Sequence, residues 1–390
     1  MYIRRDIEAE IIEMSKQYKA LIITGPRQSG KTTTAKYLFS HLPYVSLENP
    51  DIRLLSQEDP RAFLNQFTEG AIIDEIQRVP HIFSYLQQIL DEDRIGKLFI
   101  LTGSNQYSLL NNATQSLSGR VAILKMLPLS LNEIQHHNKL STEELMINGF
   151  YPAIYSKQLN PNKAYRNYYE SYLERDLRQL IKLKDVGLFQ KFVRICAGRI
   201  SNIFNASAIS SEIGVSVKTI QEWISILETS YITFRLPPYF DNINKRLIKS
   251  PKLYFYDVGL ASYLLGIENI KQLHRDPARG ALFENLVVVE AMKHRLNRGM
   301  DPQLYFYLDS NHYEIDLVLK KGNQLYPFEI KSAETYHSDF FKGLKKFKNL
   351  FQDRVKEQFL LYDGDTELIT NQIHLSNFRK LPSIMTQLFI

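Results

Sequence analysis

The sequence predicts an α/β protein of two or three domains, with a helical stretch lying between two sheets. Three observations carry this. From about residue 18 to 135 short apolar runs alternate with helical stretches, the rhythm of a parallel sheet covered by helices. From about 136 to 235 the pattern turns helical, and a second alternation of strands and helices follows to the end. The length, 390 residues, exceeds what one ordinary core holds.

In the first region the candidate strands are "ALIIT", "YVSLE", "GAIID", "KLFILTG" and "RVAILKML". Their apolar runs are continuous, as strands buried on both faces require. In the middle, "NKAYRNYYESYLERDLRQL" sets Tyr165, Tyr169, Tyr172 and Leu173 at helical spacing, and no strand is expected before "YITFRL". "PPYFDNINKRLIKSPK", rich in Pro, Asn and Lys, reads as a junction. Beyond it the expected strands are "LYFYD", "QLYFYLD", "YEIDLVLK", "LYPFEIK" and "EQFLLYD". No fixed-period repeat is present.

Composition narrows the class. With 44% hydrophobic and 23% charged residues, and no run near the roughly 18 apolar residues of a membrane helix, a soluble protein without a membrane partner is expected. The opening "MYIRRDIEAEIIEM" lacks a signal-peptide core, and the single Cys196 excludes an internal disulfide or a cysteine metal cage. A cytoplasmic location is the expectation. The net charge of +6 suits a polyanionic partner without requiring one.

The stretch "LIITGPRQSGKTTTAKYL" matches GxxxxGK[ST] at Gly25, Gly30, Lys31 and Thr32, between an expected strand and an expected helix. Its glycines let the backbone curl so that N–H groups and the helix N-terminus face phosphates. The cradle therefore runs through Gly25, Pro26, Arg27, Gln28, Ser29, Gly30, Lys31, Thr32 and Thr33. Lys31 is expected to reach the β- and γ-oxygens and Thr32 to ligate Mg²⁺. Arg27 either touches phosphate or lies exposed. "GAIIDEIQ" adds Asp74 at a strand end, to hold the magnesium, and Glu75, to polarise a water for attack on the γ-phosphate. "KLFILTGSN" ends in Ser104 and Asn105, either of which could hydrogen-bond that water, unless the segment is a simple turn. Arg120, just before a strand, is a candidate to stabilise transition-state charge, in this chain or across a subunit interface, or else an ordinary surface arginine. Monomer and homo-oligomer both stay open.

The series "ITGPRQSGKTT", "IIDEIQ", "LTGSN", "SGR" with "LPLSLNEI", "GFYPAIY", "YLERDL", "SPKLYFYDVGLA" and "ALFENLVVVE" resembles a bacterial and archaeal family of AAA-type P-loop ATPases that carry a C-terminal domain of unknown function. The resemblance spans nearly the whole chain. It implies ATP binding and hydrolysis, and a sheet of the additional-strand type in which "LFILTGSN" lies between the phosphate-loop strand and the Asp-Glu strand.

Farther along, "NASAISSEIGVSVKTIQEWISILETSYITFRL" reads as helix, turn at Gly214, a second helix from about Val217 to Leu227 with Ser216 as N-cap, and a strand that could begin a wing. The second helix offers Lys218 and Gln221 but also Glu222 and Glu228, a thin supply for reading bases, so a packing or lid role is favoured, with Trp223, Ile224 and Leu227 as core. Lys245, Arg246, Lys249 and Lys252 would serve phosphate backbones, or form a solvated basic hairpin.

In "YEIDLVLKKGNQLYPFEIKS" two apolar runs meet at the turn "KKGN". Glu329 and Lys331 stand two apart, on one face of a strand, with Asp316 on its partner and Glu284 available from the helical "RGALFENLVVVEAMKHR". Two carboxylates and a lysine are what metal-assisted phosphodiester cleavage needs. The arrangement resembles the restriction-endonuclease-like fold, with Glu284, Asp316, Glu329 and Lys331 as the site and Ile315 where the motif has Pro. Pro327 is expected at a strand start or bulge. The expected domains are thus an ATPase domain over 1–135, a helical lid with a winged-helix-like segment over 136–236, and a restriction-endonuclease-like domain over 237–390. The expected partners are ATP with Mg²⁺, DNA, or a protein for which the chain is a nucleotide-dependent scaffold.

Overall fold

The computed structural model describes the chain except for residue 1 and residues 93–95, 105–115, 136–139, 174–185, 241–248 and 390. In chain order its N-terminal part runs α1 (Glu8–Gln17), β1 (Ala20–Thr24), α2 (Lys31–Leu38), β2 (Tyr44–Ser46), α3 (Pro50–Glu58), α4 (Pro60–Asn65), β3 (Gly70–Asp74), α5 (Ile82–Glu92), β4 (Leu98–Gly103) and β5 (Val121–Lys125). The five strands form one parallel sheet in the order β2-β3-β4-β1-β5. β4 lies between β1 and β3, the order that the family resemblance implies. The continuous apolar runs act through the two-residue strand period, which sends alternate side chains to opposite faces. Ala20 and Ile22 join the core under α4 and α5, with Phe63 and Phe83. Leu21 and Ile23 join the opposite core, with Ile7 just before α1, Ile11 on it and Ala35 on α2.

The middle comprises α6 (Leu131–Gln135), α7 (Thr142–Asn148), α8 (Pro152–Ser156), α9 (Pro161–Tyr168), α10 (Val186–Gly198), α11 (Ala206–Ile213), α12 (Val217–Thr229), β6 (Thr233–Leu236) and β7 (Lys252–Phe255). Gly214 ends α11 in the left-handed region at φ 84°, and Ser216 caps α12 by accepting from the Thr219 amide. Trp223, Ile224 and Leu227 are buried. β6 pairs with β7 as an antiparallel hairpin, so the boundary expected at 236 falls inside a strand pair.

The C-terminal part follows with α13 (Val258–Leu264), α14 (Ile270–Arg275), α15 (Arg279–Leu296), β8 (Leu304–Leu308), β9 (Glu314–Lys321), β10 (Gln324–Lys331), α16 (Phe341–Phe351), β11 (Gln358–Tyr362), β12 (Leu368–Thr370), β13 (Ile373–Asn377) and α17 (Leu381–Phe389). Its six-stranded sheet is mixed, in the order β12-β13-β11-β10-β9-β8. β9 and β10 turn at Gly322, φ 59°, as "KKGN" foretold. β12 and β13 were not anticipated. Pro327 corrects another expectation, since it lies inside β10, paired with Val318, one residue before β11 begins its ladder at Phe328. The central helix α15 is buried on nearly every side from Leu282 to Leu296. One hydrophobic core runs from Ile3 through Leu129, Tyr165, Trp223 and Phe255 to Val288 and Leu388. Among the described residues no helix is long and apolar enough to cross a membrane.

Candidate functional site

The phosphate loop leaves β1 at Thr24 and enters α2 at Lys31. Gly25, at φ 148°, is mandatory, because a Cβ there would lie 2.1 Å from the Met126 carbonyl oxygen. Gln28 (φ 59°) and Gly30 (φ 98°) complete the curl. Lys31 is buried and donates to the carbonyls of Gly25 (3.0 Å) and Pro26 (2.7 Å), so the loop holds its own cation at its centre. Burial lowers the Lys31 ammonium to about 8, against the pull of Glu75 and Asp74. The Ser29 hydroxyl is buried without a hydrogen-bond partner. Thr33 is exposed on the first turn of α2, and Arg27 is half-buried, with its charge felt at both Lys31 and Glu75.

Asp74, at the end of β3, accepts from Thr32 Oγ1 at 3.1 Å to each oxygen and from Tyr44 at 3.0 Å. Thr32 and Asp74 are thus already adjacent, the pair that a phosphate-bound magnesium would need. The cradle fits that ion. Asp74 also accepts from Thr102 on β4. The described polar contact from β4 therefore comes from Thr102, where sequence reasoning named Ser104 and Asn105; Ser104 is buried and Asn105 lies outside the described residues. Glu75 takes a left-handed backbone at φ 55°, rare for a residue with a side chain, and accepts from the Gln77 amide. Burial raises its carboxyl above the usual carboxylate range.

Arg120 is a correction within this chain. It stands before β5, whose Val121 pairs with Ala20 at the start of β1, whereas the loop follows Thr24 at the other end. At about 3.3 Å per residue that is a strand length, roughly 16 Å, from the cradle. Its guanidinium is exposed and grips Asp91 with two bonds, 2.5 and 3.0 Å.

Sequence reasoning missed Arg5. Its guanidinium donates to the Ser29 carbonyl (2.6 Å), the Leu127 carbonyl (2.7 Å) and Glu133 (3.0 Å), with the Arg5 and Glu133 side chains 3% and 1% exposed. Arg5 is buried with Ile3 and Ile7 while Arg4 and Asp6 are exposed, in a stretch that forms no strand, so the strand period gave no signal for it. The network continues into α15, where Glu290 accepts from the Leu131 amide (3.0 Å) and Lys293 donates to the Leu129 carbonyl (2.6 Å).

The other end of α15 reaches the C-terminal constellation. Glu284 from α15, Asp316 from β9, and Glu329 and Lys331 from β10 do converge. Lys331 Nζ is 2.6 Å from Glu329 and 3.7 Å from Asp316, whose Oδ2 also accepts from the Ile330 amide at 2.8 Å. Three members were missed. Glu314, two residues before Asp316, shares its face, and oxygens of Glu284, Glu314 and Asp316 all lie within 4.8 Å of one another. Tyr254 donates to Glu284 at 2.6 Å. Lys252 corrects the reading of a basic phosphate-binding hairpin. It is buried, with its ammonium 3.0 Å from Glu284 and in contact with Glu314. Lys249 is exposed, and Lys245 and Arg246 lie outside the described residues. Burial, with the neighbouring Asp316 charge, raises Glu284 to about 7 and Glu329 to about 8. Oε2 of Glu329 is buried and lacks a hydrogen-bond partner. Carboxylate oxygens at this spacing suit a hard divalent cation.

Residues 17–135 match the model of an AAA domain, which contains the loop, Asp74 and Glu75. Residues 139–271 and 279–381 match two domains of unknown function, DUF8612 and DUF4143. The chain is similar to an uncharacterized protein of Mycobacterium tuberculosis, 29% identical over 337 residues that cover 85% of this chain and 74% of that one. An uncharacterized protein of Haemophilus influenzae is 22% identical over 361 residues, 83% of this chain and 85% of its own. Among solved structures, a Walker-type ATPase of Pyrococcus abyssi is similar over 67% of this chain and 96% of its own, at 13% identity and a TM-score of 0.47.

Proposed function

We propose that the chain is a magnesium-dependent ATPase of the cytoplasm whose nucleotide state controls a C-terminal nuclease-like domain acting on DNA. The observation that carries the reading is the set of buried polar contacts that ties the phosphate loop to α15, the helix that bears Glu284 at its other end. Arg5 ties the Ser29 carbonyl to Glu133, and Glu290 and Lys293 tie Leu131 and Leu129, just before Glu133, to that helix. In the ATPase step Lys31 leaves the Gly25 and Pro26 carbonyls for the β- and γ-oxygens, while Glu75 takes the proton of the attacking water. Thr32 and Asp74 would hold the magnesium, which when bound neutralises charge on the triphosphate. The helix-turn-helix of α11 and α12 with the β6–β7 hairpin serves, in this reading, as a winged-helix-like packing module.

The test is phosphate release from Mg-ATP by the purified chain, with Lys31→Ala and Glu75→Gln expected to abolish it. Duplex DNA should accelerate turnover, and the acceleration should fall steeply with salt, as phosphate contacts require. A second reading is a nucleotide-dependent scaffold whose nuclease-like domain binds a protein and does not cut. The position of Lys252 inside the carboxylates favours it. Plasmid nicking with Mg²⁺ or Mn²⁺ that disappears in Asp316→Ala supports the first reading, and absence of nicking supports the second.

A further inference from the structure

Four carboxylates, Glu284, Glu314, Asp316 and Glu329, face two lysines, and the lysines play different parts. Lys331 lies at the rim, its side chain 32% exposed, and pairs with Glu329 and Asp316. Lys252 comes from another element altogether. β7 belongs to the hairpin that closes the middle region, and its first residue inserts an ammonium between Glu284 and Glu314 with only 4% of the side chain exposed. A buried lysine pays a desolvation cost that only well-placed anions offset, so this position is specified by the surrounding chain. Asn285 fixes it from behind, accepting from the Phe255 amide at 2.8 Å and donating to the Phe255 carbonyl at 3.1 Å. Tyr254, two residues on and therefore on the same face, adds its bond to Glu284. The carboxylates outnumber the lysines by two, and Glu329 Oε2 is buried without a hydrogen-bond partner.

We infer that Lys252 is a resident counter-cation that keeps divalent metal out of the carboxylate cluster, so that the ammonium and a metal ion compete for the oxygens of Glu284 and Glu314. The inference rests on the reading of these carboxylates as a cation site, not on cleavage. The residue that leads into this hairpin meets the N-terminal sheet. Tyr231, in the left-handed region at φ 57° just before β6, places its hydroxyl 3.3 Å from Thr24 Oγ1, the residue from which the phosphate loop departs. The hairpin that carries Lys252 is thus entered through a residue that touches the end of β1.

The test is Mn²⁺ titration of the nucleotide-free full-length chain, followed by electron paramagnetic resonance of the free ion. Lys252→Met should bind one Mn²⁺ on the order of tenfold or more tighter than the unaltered protein. Adding Asp316→Asn should remove that gain, and Lys252→Arg, which keeps a cation, should not show it. Should Lys252→Met not fold, Lys252→Gln is measured in its place with the same expectation. Equal, tight binding by the unaltered protein and the uncharged variant would overturn the role of Lys252 and leave the cation site standing. No specific binding by any of them would overturn the cation site as well.

Discussion

Arg5 donates to the carbonyl of Ser29 at 2.6 Å, so a residue of the N-terminal segment fixes the backbone of a loop 24 positions away. The same guanidinium neutralises Glu133, which also accepts from the amides of Asp6 (2.5 Å) and Ser130 (2.8 Å). Arg5→Ala would leave that carboxylate buried and unpaired, and a loss of about 3 kcal/mol is expected in denaturant unfolding. The double variant Arg5→Ala with Glu133→Gln should lose less than the sum of the two single changes.

Lys31 gives a pH signature. Its folded value near 8 is below the unfolded value of 10.5, so the unfolded chain binds more protons between them. The sign follows directly: the nucleotide-free protein should gain stability as pH rises from about 8 towards 10.5, by on the order of 3 kcal/mol from this group. Unfolding curves of the unaltered protein and Lys31→Met across that window should differ in slope. Parallel curves would refute the assignment.

Thr102 shares Asp74 with Thr32. Thr102→Val preserves shape and removes the hydroxyl. ATP turnover should drop roughly tenfold, while binding of a fluorescent nucleotide changes little, because the hydroxyl acts through Asp74, which it orients.

Asn285 is fully buried and satisfies both backbone groups of Phe255. Asn285→Ala would orphan that amide and carbonyl, at a cost of about 2 kcal/mol in thermal or chemical unfolding. Because β7 carries Lys252, the variant should also bind Mn²⁺ more tightly than the unaltered protein.

Much of this was legible in the residues themselves. The phosphate loop and Asp74 can be read because strand, glycines and lysine are contiguous, and local geometry then leaves little choice. The sheet strands could be read from unbroken apolar runs, whereas β12 and β13 are three and five residues long, with Ile369 exposed on the outermost strand, and carry no such pattern. Arg120 proved to be the ordinary surface arginine that the sequence also allowed, and Lys252 misled. A lysine in a basic segment reads as solvated, and only the fold reveals that it meets Glu284 inside. Glu314 was available from the same two-residue period that set Glu329 and Lys331 on one face, since it stands two before Asp316, whereas Arg5 lies in a stretch that forms no strand.

The core that runs from Ile3 to Leu388 has a practical bearing on dissection. Cutting at 135 or 236 would strip partners from Leu129, Phe255 and Val288 at once and bare a wide greasy surface on each piece. Fragments made at those points should clump during expression, and the chain should melt as one cooperative unit instead of shedding modules in turn. Exchange of its parts with other proteins, whether by recombination or at the bench, would have to carry α15 along with whatever it wedges together.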